Sequence, residues 1–122
     1  MSKVRMSWGL LLCLTLASGC VQTKYGWYDY DQKLYRHYRD PGQQEVFLEQ
    51  LKEIVERGTS SNRIPPGLFA EYGYVLYETG KFNEATRYFD LEGKKWPESR
   101  VLMAKMVKNA QLRAGKAEGR VQ

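Results

Sequence analysis

The segment Pro65–Pro97, PPGLFAEYGYVLYETGKFNEATRYFDLEGKKWP, decides the fold. It opens behind Ile64 on Pro65-Pro66-Gly67, and prolines at a helix start fix φ without removing a needed donor. Phe69, Tyr72, Val75 and Leu76 then recur on one face of a helix running to Glu78, which Gly80 closes. Phe82, Ala85, Phe89 and Trp96 continue on a second helix until Pro97. Upstream, Tyr30, Leu34 and Tyr38 repeat every four residues with Tyr35 beside them, predicting a helix over 29–39. Asp40-Pro41 is a break and a restart, Asp as N-cap and Pro at the first helical position. Phe47, Leu48, Leu51, Ile54 and Val55 form a stripe opposite Glu49, Lys52, Glu53 and Glu56, predicting a helix over 41–57 that Gly58 ends. Thr59–Arg63 is a polar loop. Downstream, Glu98-Ser99 restarts a helix over 98–113 whose apolar residues are Val101, Leu102, Met106, Ala110 and Leu112. No alternating run of strand length stands out. The fold class is therefore all-α, a short antiparallel stack of about five helices over 29–114, followed by a flexible tail over 115–122.

The spacing from Pro65 to Pro97 resembles one tetratricopeptide (TPR) repeat, a pair of antiparallel helices of about 34 residues. Phe69 stands at the usual Trp position, Tyr72 at the Leu position and Gly73 directly after it; Gly80, Ala85, Phe89 and Pro97 follow at the later spacings. The resemblance implies that Gly73 and Ala85 are small because the two helices cross closely there, with Phe69, Tyr72 and Phe89 filling the seam. It also implies a concave groove faced by Ala70, Tyr74 and Tyr77, where two tyrosines would stack on or hydrogen-bond to a bound peptide or helix. The alternative is that they contact the preceding helix. Two positions depart from the pattern: Leu76 replaces an aromatic, and Glu92 stands where a small Ala is common. The second departure leads to the expectation that the second helix packs more loosely on its next neighbour. Five helices make about two and a half repeats, fewer than the ~3 that usually bury a continuous core.

The chain has 122 residues, with 19 Lys and Arg against 14 Asp and Glu. That length supports one small domain and excludes a multidomain enzyme. Residues 1–19 read as a secretory leader: Lys3 and Arg5, then the apolar run Met6–Ala17, then Ala17-Ser18-Gly19. The run is too short to span ~30 Å of hydrocarbon. Leu16-Ala17-Ser18-Gly19-Cys20 resembles a bacterial lipobox, which implies a lipid on Cys20 as the mature N-terminus. The other reading is an ordinary signal peptide cut elsewhere, leaving Cys20 a free thiol. With Cys13 lost and Cys20 acylated, the mature chain would have no thiol, as suits an oxidising compartment. Val21, where Asp would resemble an inner-membrane retention signal, points to the outer membrane, the domain facing the periplasm. Residues 20–28 then form a lipidated tether and aromatic segment. Without the leader the net charge is +3, and the cations are dispersed, with no nucleic-acid footprint.

From Tyr25 to Met106 the pattern resembles an uncharacterised family of bacterial TPR-like outer-membrane lipoproteins. The resemblance rests on Trp27 with Leu34-Tyr35, on Pro65-Pro66-Gly67-Leu68-Phe69-Ala70-Glu71-Tyr72-Gly73, and on Trp96-Pro97-Glu98-Ser99. Members tend to be encoded beside a lipoprotein similar to the curli secretion channel and a second small lipoprotein. The resemblance implies partners of those two kinds, the first an oligomeric channel, and supplies no catalytic residue. Tyr28 departs from it, since Trp-Gly is commoner there.

Chemistry finds little footing. His37 is the single histidine, and no carboxylates gather around it at ligand spacing, so it reads as a surface or capping residue and no metal or cofactor is expected. Ser60, Ser61 and Ser99 sit in no nucleophile elbow, and Glu45, Glu49, Glu53 and Glu56 read as a solvated helix face. Trp27, Tyr28 and Tyr35 are candidate partner- or membrane-facing aromatics, with capping of the stack as the simpler role. Lys94-Lys95-Trp96 suggests a lipid headgroup contact or, more simply, a helix C-terminus. The expectation is a non-catalytic adaptor or assembly factor in a cell-envelope lipoprotein complex. The alternative is a periplasmic cell-wall enzyme or an activator of one.

Overall fold

The computed structural model describes residues 23–120; the leader expected over 1–19 and Cys20, expected to carry a lipid, lie outside the described residues. Five α-helices follow one another: α1 Tyr30–Arg39, α2 Gln44–Ser60, α3 Leu68–Glu78, α4 Phe82–Lys95 and α5 Arg100–Glu118. Short 3-10 turns, Pro41–Gln43 and Pro97–Ser99, lead into α2 and α5. No strand occurs among the described residues, and each helix packs on its neighbours in chain order. The chain is an all-α antiparallel stack.

The core joins Phe47, Leu48, Leu51, Ile54 and Val55 of α2 to Leu68, Phe69, Tyr72, Val75 and Leu76 of α3, with Ala85 and Phe89 of α4. Its tightest crossing is at Gly73. A Cβ there would lie 2.9 Å from two ring carbons of Phe89 and 3.3 Å from the Ala85 carbonyl oxygen. The crossing implied for Gly73 and Ala85, with Phe69, Tyr72 and Phe89 buried around it, is thus present.

Two helix ends share one hydrogen-bond pattern. After α3, Gly80 takes φ +82°, its N–H donates to the Tyr77 carbonyl, and the Lys81 N–H donates to the Leu76 carbonyl. After α2, Asn62 takes φ +52°, its N–H donates to Thr59, and the Arg63 N–H donates to Gly58. Gly80 therefore closes α3 as the sequence predicts, whereas Gly58 does not end α2. Gly58 is buried within the last turns, where a Cβ would sit 3.2 Å from the backbone of Ile64 as the loop folds back over it.

Three further expectations change. Pro65 and Pro66 precede α3 rather than forming its first turn, and Gly67, at φ +88°, is the N-cap. The inner face of α5 is Met103 and Ala110, backed by Met106 and Val107, while Val101, Leu102 and Leu112 are exposed. Helix α5 also continues past Gly115 to Glu118, through much of the segment predicted as a flexible tail.

The looser packing expected of α4 on its next neighbour is not found. Gly93, one residue beyond Glu92, admits α5 so closely that a Cβ there would meet Met103 Cβ at 3.4 Å. The Glu92 side chain turns back toward α3 instead: its Oε1 accepts a 2.7 Å hydrogen bond from the Gly67 N–H.

Candidate functional site

Ala70, Tyr74 and Tyr77 lie along one side of α3, at the i, i+4 and i+7 positions that share a helix face. Tyr74 is 45% exposed and its hydroxyl donates to Glu78 Oε1 at 3.0 Å, a bond that pushes its pKa up. Tyr77 is half-buried, edge-on to Phe82 at 5.4 Å, with the Arg113 guanidinium 6.0 Å from its ring. Tyr77 therefore packs toward α4 and α5, while Tyr74 on the same side of α3 stays open to solvent. Arg113 was not legible as a neighbour from spacing alone, because it reaches Tyr77 across the stack.

The aromatic segment ahead of α1 folds onto the loop between α2 and α3. The Gly26 N–H donates to the Arg63 carbonyl at 2.8 Å, and the Arg63 guanidinium donates to the Thr23 carbonyl. Tyr28 adopts φ +46°, a left-handed conformation that glycine takes more readily than a residue with a side chain. Its ring lies under the Arg57 guanidinium, 4.3 Å from centroid to Cζ, and its hydroxyl pairs with Ser61 Oγ at 3.1 Å. Trp27 leans on Tyr30 at 5.9 Å and stays 46% exposed. Tyr25 meets Trp96 edge-on at 6.0 Å. Trp27 and Tyr28 thus share one end of the stack with Trp96.

Tyr35 belongs elsewhere. It lines a cleft of about 450 Å³ between α1 and α2 with Lys33, Arg36, His37 and Phe47. His37 is half-buried and lies flat on Phe47, rings 4.3 Å apart and 8° from parallel, so it is a packing residue rather than a cap. Among the described residues no three His, Cys, Asp or Glu side chains gather as metal ligands, and no helix is long and apolar enough to cross a membrane.

Glu92 is the polar residue that spacing misjudged. It is fully buried, with Oε1 on the Gly67 N–H and within 3.5 Å of Ser99 Oγ. Burial pushes its carboxyl above the usual range, against the opposing pull of the Gly67 and Ala70 amides. It acts as an N-terminal cap for α3 supplied from α4.

The chain belongs to the family described as a domain of unknown function, DUF4810, whose model matches residues 24–106, from the aromatic segment to the middle of α5. No curated protein and no solved structure matches the chain.

Proposed function

We propose that this protein is an outer-membrane lipoprotein whose TPR-like stack works as a non-catalytic adaptor or assembly factor in a cell-envelope complex. The observation that carries the reading is the leader with its lipobox-like ending at Cys20, three residues ahead of Thr23. Acyl chains stabilise membrane attachment by about 0.8 kcal/mol per buried methylene, so a multiply acylated Cys20 would be held firmly. Anchoring raises the local concentration of the domain at a partner on the same surface. The partners are those implied by the family resemblance, an oligomeric curli-channel-like lipoprotein and a second small lipoprotein. The exposed Tyr74 on α3, and Val101, Leu102 and Leu112 on the outer side of α5, support the reading as surfaces for protein contact.

Affinity purification from detergent-solubilised membranes tests it. The expected result is recovery of lipoprotein partners in stoichiometric amounts, and recovery of the chain alone would overturn the adaptor. Tyr74→Ala is the clean groove variant, because Tyr77 is packed on Phe82 whereas Tyr74 is half in solvent. It should lower partner recovery severalfold with the helical circular dichroism unchanged; full recovery would remove the groove from the contact.

A further inference from the structure

We infer that the end of the stack formed by residues 23–29, 57–63 and 94–99 is a docking face for an anionic phospholipid surface. The inference rests on the anchored reading and adds to it the orientation of the domain. The three segments are far apart in sequence and meet through Tyr25 on Trp96, Tyr28 on Ser61 and Arg57, Gly26 on Arg63, and Lys95 Nζ on Asn62 Oδ1 at 3.4 Å. Together they carry Lys24, Arg57, Arg63, Lys94 and Lys95 against two carboxylates, Asp29 and Glu98. All five cations are exposed, although Arg57 also pairs with Glu53 at 3.5 Å. Aromatic rings lie between the charges: Lys24 stands 5.3 Å over Tyr25, Lys95 stands 5.9 Å over Trp96, and Trp27 is 46% exposed. Amphipathic rings beside lysines suit the headgroup layer, where ring and cation each find a favourable depth.

Reach selects the occupant. Backbone extends at most ~3.6 Å per residue, so the three steps from Cys20 to Thr23 span no more than about 11 Å. A lipid on Cys20 would therefore hold this end within about a Debye length of the headgroups, where anionic lipid attracts each Lys or Arg. The sides of the stack, including Tyr74, would be left free for protein.

The test uses the mature chain, reconstituted into phosphatidylethanolamine–phosphatidylglycerol vesicles with brominated acyl chains, and into brominated phosphatidylcholine vesicles. Once the leader is removed, Trp27 and Trp96 are the only tryptophans, and both belong to this face. Their emission should be quenched in the anionic vesicles, the quenching should fall as salt rises, and it should be weak in phosphatidylcholine. Charge reversal by Lys24→Glu with Lys95→Glu should abolish the difference, each lysine lost being worth about fivefold in surface attraction. The salt titration of the unaltered chain reads the same contact if the double variant fails to fold. Acylated chain with equal emission in both vesicles would overturn the docking face, as would quenching indifferent to salt. The anchored reading fails separately: mature chain isolated from membranes with no acyl chain on Cys20 removes the anchor, while quenching of that unacylated chain by anionic vesicles keeps the face. Quenching displaced by a purified partner lipoprotein that covers the tryptophans would also overturn the inference, making this end a protein contact.

Discussion

A methyl group added at Gly73 has nowhere to go. The Phe89 ring it would strike is 1% exposed and enclosed by the core, and the Ala85 carbonyl is fixed in α4. Overpacking of this kind costs about 1–3 kcal/mol, so Gly73→Ala should lower the urea midpoint by that equivalent at unchanged m-value. A neutral result would mean that α3 and α4 separate without penalty. Glu92 makes the opposite kind of demand. Its folded pKa is raised by burial, so the folded state binds its proton more tightly than the unfolded chain does. The contribution of this residue to stability is therefore greatest at acid pH, falls as pH climbs from the ordinary carboxylate value through the folded value, and stays low above it. Glu92→Gln retains an acceptor for the Gly67 N–H and removes the ionisation. It should be at least as stable as the parent at neutral pH and lose that fall, whereas Glu92→Ala should be destabilised by about 1–3 kcal/mol through the orphaned amide and the void. Urea titrations across the acid-to-neutral range distinguish the two.

The helices themselves were legible because punctuation and periodicity agree between Pro65 and Pro97. Gly80 terminates α3 where the spacing places a turn, and the five apolar residues of the α2 stripe are all buried. The reading failed where a segment outside the helix supplies the deciding contact. Gly58 has the residue type of a terminator, yet it is small because Ile64 lies on it, and the left-handed turn falls to Asn62. In α5, apolar residues occur on several sides, so no single stripe identifies the inner one; the approach of Gly93 to Met103 selects it. Met103→Ala should cost about 2–5 kcal/mol, while Leu102→Ala, at a site 59% exposed, should stay within ~0.5 kcal/mol. Equal effects in thermal denaturation would show that α5 sits in a different register.

For the molecule as a whole, candidate contact residues were easier to nominate than to group. Ala70, Tyr74 and Tyr77 share a face by helical period alone, whereas Trp27 and Tyr28 part from Tyr35 because the chain turns through two left-handed residues, Tyr28 and Asp29, before α1 begins. The convergence of Tyr25 with Trp96 joins positions 71 residues apart, beyond the reach of any local pattern. What the stack does depends on what it is attached to, and that question turns on Cys20. The most direct measurement is the intact mass of the amino-terminal peptide from the membrane fraction. A peptide beginning at Cys20 and heavier by its acyl chains is the expected result; an unmodified terminus at any other residue, on chain recovered without detergent, would contradict it.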